Sequence, residues 1–300
     1  MKRISPRIKG IACIIFAAFG FSMMSVFIRL AGDVPTAEKA FFRNFAALLL
    51  VSVLLAVKRV PLKPEKGSWP SLAGRAVFGT IGLLLNFYAI DHLVLADANM
   101  LNKLSPFFAI IFSIFLLRER PSAMQVAGVL TALLGSALII KPGFEGVPLV
   151  PSLAGFVSGA AAGLAYTFVR KLGQRGENSL RIVFYFSLFS TLITLPFFLL
   201  SPVRLTGHQL LMLLLCGCSA CIGQFGITQA YLLAPAKEIS VYDYTQILFA
   251  AALGYIFFRQ IPDGWSVVGY VLICGAGVGM FLYNRHMDHK AAQQAQEGRP

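Results

Sequence analysis

Ten stretches of this chain are apolar over a length that suits a bilayer crossing: residues 11–30, 37–57, 72–90, 95–116, 124–140, 153–169, 182–200, 210–232, 239–258 and 267–283. About 20 apolar residues, with a range of about 17–25, carry a helix across the hydrocarbon core. No water reaches backbone N–H and C=O groups there, so such stretches must satisfy their own hydrogen bonds as helices. Composition agrees. Hydrophobic residues make up 57% of the 300 and charged residues 13%, with a mean hydropathy of +0.73; a soluble domain carries about 25% charged residues. The expected fold class is all-α and integral to a membrane.

The formal net charge of +13 would suggest nucleic acid in a soluble chain, but no basic run here is interleaved with exposed aromatics. In a membrane protein Lys and Arg collect in cytoplasmic loops. With the N-terminus inside, the inner segments hold 19 Lys and Arg, from Lys2, Arg3, Arg7 and Lys9 through Arg75 to Arg299. The outer segments hold 6: Arg29, Lys39, Arg43, Lys141, Arg204 and Arg259. Lys103, deep within a span, is the one cation counted to neither side. The excess puts both termini in the cytoplasm, with residues 1–10 as a cytoplasmic N-terminus, 285–300 as a disordered cytoplasmic tail, and the plasma membrane as the location. Residues 11–30 are too long for a signal-peptide core of about 7–15 residues and are expected to stay as the first span.

The chain repeats itself. A shift of 141 residues places Arg118 on Arg259, Pro121 on Pro262, Gly128 on Gly269 and Phe108-Ala109 on Phe249-Ala250. The same shift places Phe27 on Phe168, Arg29 on Arg170 and Gly32 on Gly173. Residues 11–141 and 152–284 thus form two five-span halves, and an odd number of spans inverts the second half relative to the first. Inverted repeats characterise secondary transporters, whose substrate site lies near the midplane between the halves. Small residues at Gly155, Gly159 and Gly163, and at Gly275 and Gly279, mark faces where helices pack closely.

The fourth span is the most informative. Residues 95–121 read LADANMLNKLSPFFAIIFSIFLLRERP. Its first half carries Asp97, Asn99, Asn102, Lys103 and Ser105, then Pro106. A Lys well inside a span costs about 2.5–3.5 kcal/mol on insertion scales, so it persists where it meets a polar cavity or a partner. The proline removes a backbone hydrogen bond and can kink the helix. The shift pairs Asn102-Lys103 with Asp243-Tyr244 in the ninth span, beside Tyr242 and Gln246. These residues are expected to line a substrate cavity. At about 1.5 Å per residue across a core of about 30 Å, Lys103 and Asp243 differ in depth by on the order of 10 Å. They are expected to bracket a space that a zwitterionic substrate bridges, rather than to touch. Asp243 is also the candidate for proton coupling.

Further binding candidates are Asn86 and Tyr88 in the third span, Tyr166 in the sixth, Gln224, Gln229 and Tyr231 in the eighth, and Arg43 with Asn44 in the second. Each could equally be an interhelical hydrogen bond. Cys216, Cys218 and Cys221 approach a metal-ligand spacing, but Cys216 points away from the other two on a helix and all lie in apolar sequence, so they are expected to pack. The four His fall in loops or the tail. No HExxH, GxSxG or phosphate-binding glycine loop is present, and no nucleophile–base set can be assembled at one depth. No cofactor, metal or catalytic residue is expected. A scaffold, receptor or lipid-handling protein stays as the alternative to a transporter, although neither role calls for an inverted repeat with polar residues at matched depths.

The fourth and fifth spans closely resemble the EamA module of the drug/metabolite transporter superfamily: an apolar helix with a central Pro106, a closing Glu119, and a following helix with Gly128 and Gly135. The second half departs from that pattern, with Gln260 in place of the Glu and Ile247 in place of the Pro. The resemblance covers about residues 11–284. It implies a ten-helix carrier with alternating access, often an exporter, for amino-acid-like, nucleoside-like, sugar or drug-like molecules. With no nucleotide domain to drive pumping, energy is expected from a proton or other gradient, from exchange with a counter-substrate, or from downhill flow of the substrate. Glu119, between Arg118 and Arg120, is expected to form a local ion pair.

Reporter fusions after Pro142 and after Gln293 are expected to report opposite sides of the membrane. The same side for both would remove the five-plus-five reading.

Overall fold

A computed structural model describes residues 6–118, 120–141, 148–201, 204–233 and 240–297. Glu119 lies outside them, as do the side chains of Gln229 and Tyr231. The described residues form helices α1 (Pro6–Leu30), α2 (Thr36–Val57), α3 (Trp69–His92), α4 (Leu95–Asn102), α5 (Ser105–Leu116), α6 (Ala123–Ile140), α7 (Leu149–Gln174), α8 (Ser179–Leu200) and α9 (Gly207–Leu233). A 3₁₀ turn (Ser240–Tyr244), α10 (Thr245–Phe258) and α11 (Gly264–Glu297) complete the order. Among the described residues nine segments are long and apolar enough to cross a membrane, with α4 and α5 counted together. The tenth expected span is the 3₁₀ turn with the 14 residues of α10.

Local chemistry sets the helix ends. Ser122 and Gln125 form a reciprocal capping box at the start of α6, at 3.2 and 2.8 Å, which satisfies two orphan N–H groups. Asn178 caps α8 by accepting from the Leu180 N–H at 2.9 Å. Arg118, after α5, and Arg259, after α10, both turn the chain in the left-handed region, at φ 56° and 55°. The 141-residue shift that aligned these two arginines therefore also aligns a backbone conformation that side chains seldom adopt.

The packing follows the same exchange. The most extensive contacts are α1 with α9 and α3 with α7, and each becomes the other when the halves are swapped. The pairs α5–α7 and α1–α10, and α2–α9 and α3–α8, interchange likewise. The pairs α2–α8 and α6–α11 map onto themselves. The core gathers where α1, α3, α4, α5, α9 and α10 meet, around Phe87, Leu95, Met100, Leu101, Leu104 and Phe107.

The glycines of α7 make that meeting possible. A Cβ on Gly159 would lie 2.5 Å from the Leu101 carbonyl oxygen, and one on Gly163 would lie 2.7 Å from that of Ser105. Small residues allow helix backbones to touch in this way. One expectation is corrected: the chain after Tyr283 is helical through Glu297 rather than disordered. Ala, Gln, Lys and Glu dominate it, and the first breaker is Gly298, so propensity carries α11 onward.

Gly159→Leu is expected to cost about 1–3 kcal/mol of stability by overpacking against α4, read as a lower melting temperature in detergent. Gly173→Ala, whose Cβ meets nothing within 4 Å, serves as the unperturbed control. An unchanged Gly159→Leu protein would show that the α4–α7 contact is not tight.

Candidate functional site

Both halves break their fourth helix near the middle of the bundle. In the first half Pro106 is the second residue of α5 and has no N–H to give the Asn102 carbonyl four residues back. The chain tightens instead: Leu104 N–H bonds the Leu101 carbonyl at 3.2 Å and Phe107 N–H bonds that of Leu104 at 3.0 Å. Lys103 sits in the gap between α4 and α5. The second half breaks without proline. Its 3₁₀ turn carries Tyr242, Asp243 and Tyr244, and Thr245 Oγ1 donates to the Tyr242 carbonyl at 2.7 Å.

The two breaks are joined by a direct ion pair between Lys103 Nζ and Asp243 Oδ2. This corrects the expectation that the two residues bracket a space. The depth difference was counted along straight helices. The break lets the chain turn, and the long Lys stem covers the remaining gap. The pair is partly open, with side chains 14% and 23% exposed, and Asp243 Oδ1 has no partner.

A buried polar layer surrounds the pair. Asn99 Oδ1 accepts from Gln246 Nε2 at 2.8 Å and from Ser25 Oγ at 3.4 Å, while Asn99 Nδ2 donates to the Leu95 carbonyl. Ser22 Oγ donates to the Gln246 carbonyl at 3.0 Å. These bonds tie α1, α4 and α10 together, and Asn99 and Gln246 bond each other within the bundle. Asn102 Nδ2 donates to Ser158 Oγ on α7 at 3.3 Å. Ser105 is buried where α5 begins. Tyr244 lies flat against Gly277 of α11, where a Cβ would come 2.5 Å from its hydroxyl. Tyr242 packs by Ile14 and Ala230. Asp97, from the same polar run, accepts from the Tyr270 hydroxyl at 2.6 Å and so belongs to the α4–α11 contact.

The remaining candidates lie apart from this layer. Tyr88 lies against His92, 4.3 Å between centroids with the rings tilted by 37°, and lines a polar cavity of about 400 Å³ with Arg29 and Asp91. Beside it, Lys39 and Asp91 pair at 2.7 Å with the lysine wholly buried. Asn86 is buried with Oδ1 unpartnered. Gln224 lines a second cavity, of about 220 Å³, between α2, α8 and α9. Tyr166 is half exposed on α7. Among the described residues no group of His, Cys, Asp or Glu is placed to hold a metal ion.

Arg75 is the residue that sequence reasoning missed. It was counted as a loop cation, yet it is the seventh residue of α3 and its guanidinium lies 4.1 Å from the Phe186 ring centroid. The available signal was its position past Leu72, already inside the apolar run, with Gly79 four residues on.

The model of the EamA-like transporter family matches residues 8–141 and again 150–282. The chain belongs to this family. It is 33% identical to the pseudopaline exporter CntI of Pseudomonas aeruginosa over 275 residues, covering 90% of this chain and 95% of that one. It is 28% identical to human solute carrier family 35 member G1, covering 94% and 81%. It is 21% identical to the S-adenosylmethionine uptake transporter of Rickettsia prowazekii, covering 86% and 87%. A solved crystal structure matches its fold with a TM-score of 0.63 at 18% identity, over 94% of this chain and 99% of that one. The protein is a multi-pass membrane transporter, in a family of transporters rather than enzymes.

Proposed function

We propose that this protein moves a small polar or amphipathic metabolite across the plasma membrane by alternating access, as an exporter or exchanger. The two halves, residues 11–141 and 152–284, rock against each other, and both termini face the cytoplasm. The observation that carries this reading is the Lys103–Asp243 pair, in which the broken helix of one half meets the broken helix of the other. Broken helices at the interface of two repeats form the substrate and ion sites of secondary carriers. A partly solvated pair with one free carboxylate oxygen can exchange its partner for a substrate group as the halves move. Export is supported by the 33% identity to a protein named an exporter, against 21% to one named for uptake. The Lys and Arg distribution supports the orientation. Moving Arg43 and Arg75 out of the loops and into the bundle takes one from each side and leaves the excess unchanged.

The substrate contacts proposed at this level are Lys103, Asn102, Asp243, Tyr242 and Tyr244 around the pair. Asn99, Ser105 and Gln246 act behind them by holding the breaks in place. Removing one charge of a buried pair leaves the other uncompensated, a cost of about 3–5 kcal/mol, so function has to be separated from folding. Lys103→Ala and Asp243→Ala are each expected to reduce flux in proteoliposomes at least tenfold, at wild-type levels of monodisperse protein. The double Lys103→Ala/Asp243→Ala protein is expected to stay inactive. Recovery of flux in the double variant would mean that the residues only neutralise one another.

Coupling to protons requires a carboxylate whose protonation differs between the two access states, and Asp243 is proposed for it. Asp243→Asn is expected to abolish flux driven by a pH gradient. Unchanged gradient-driven flux would remove proton coupling at this residue.

A further inference from the structure

A second charged site lies away from the ion pair, between α2, α3 and α8. Arg43 of α2 is 8% exposed and its guanidinium carbon stands 5.8 Å from the Phe186 ring centroid; Arg75 of α3 stands 4.1 Å from the same ring. Two cations from different helices therefore share one aromatic ring. The site is built to hold them there. A Cβ on Gly79 would overlap Arg75 Nη1 and lie 2.9 Å from Phe186 Cε2, so only glycine lets Arg75 fold back along its own helix to reach the ring. Arg43 Nη1 donates to Asn44 Oδ1 at 2.8 Å, and Asn44 is itself held by Nδ2 bonds to the Ala40 carbonyl at 2.9 Å and Ser190 Oγ at 2.7 Å.

What this site lacks is an anion. Among the described residues no carboxylate lies within ion-pair reach of either arginine, whereas Lys39, Lys103, Lys141 and Arg181 all have one. The Nε atoms of Arg43 and Arg75 are buried without partners, as are the hydroxyls of Thr80 on α3 and of Ser187 and Thr191 on α8. A guanidinium carries five N–H donors in a planar fork. An aromatic face attracts its charge but accepts none of those bonds well. Two like charges this close, out of bulk water, call for a negative group that accepts from both. The fork geometry matches carboxylate and phosphate oxygens.

A cavity begins one helical turn from Arg43. Ala47 and Val51 follow Arg43 by one and two turns on the same face of α2 and line the 220 Å³ cavity, whose far wall reaches Lys58 and Asn178 at the end of the bundle.

We propose that Arg43 and Arg75 form an anion-binding subsite of the transport pathway, which takes the carboxylate or phosphate group of the transported molecule. This rests on the carrier reading above and narrows its substrate to molecules that bear such a group. Phe186 holds the two guanidiniums apart from lipid, and Asn44 orients the first of them.

The test uses the purified full chain in uncharged detergent, with melting temperature followed against citrate, glutamate and inorganic phosphate at constant ionic strength, chloride as the reference, and phosphatidylglycerol in a separate arm. At least one of the three soluble anions is expected to stabilise the protein saturably. Arg43→Gln and Arg75→Gln are each expected to weaken that response at least tenfold. Gly79→Ala, which displaces Arg75 and removes no charge, is expected to weaken it several-fold and keeps the test open if a glutamine variant does not fold. Flux of the stabilising anion in proteoliposomes is measured beside it: binding without flux in the unsubstituted protein counts against the carrier reading and leaves the anion site standing, which separates the two failures. No saturable response, or a response indifferent to both arginines and to Gly79→Ala, overturns the subsite. A response to phosphatidylglycerol alone overturns it as a substrate site and assigns it to lipid headgroups.

Discussion

A lipid interior offers nothing to an unpaired backbone group, and this structure depends on where it breaks that rule. The fourth span stops at Asn102 and restarts at Ser105, and the ninth passes through a 3₁₀ turn. Interrupted backbone survives at membrane depth only when protein or water replaces the lost partners. Here α7 covers the first break. Its glycines bring its own backbone against the Leu101 and Ser105 carbonyls, and α1 packs against the second break in the equivalent way. The small-residue face of α7 and the proline of α5 therefore meet in one arrangement.

Charge placement follows from the same absence of water. Lys39 pairs with Asp91, Lys103 with Asp243 and Lys141 with Asp263, and Asp97 is held by Tyr270. Arg29 donates to the Ile90 and Leu93 carbonyls where α3 gives way to α4, so this cation serves as a cap for a helix end. Each of these contacts bridges separate helices and fixes one against another. Arg43 and Arg75 stand out against this background because both lie against the Phe186 ring and, among the described residues, neither has a carboxylate partner. A charge left unneutralised by its own chain in such surroundings is an expensive feature, and transport of an anionic group gives it a use.

The sequence by itself determined the class of fold. Ten apolar runs of bilayer length, a 141-residue self-similarity and a proline in a polar half-span lead to a helical membrane bundle of two repeats on hydropathy, periodicity and backbone chemistry alone, since each is a local property. It also singled out Lys103 and Asp243, because a charge inside an apolar run stands out without coordinates. Contact was decided only by the tertiary structure. Lys103 and Asp243 touch because the helix break and a long side chain cancel a depth difference that straight helices would impose. Asn99 and Gln246, expected in a cavity wall, bond each other instead, since α4 and α10 cross at their level. Arg75, a loop cation by count, enters the bundle because Gly79 leaves room along α3 and Phe186 of another helix receives it. Spacing along one chain tells which face of a helix a residue occupies; which partner that face meets is settled by the packing of helices distant in sequence.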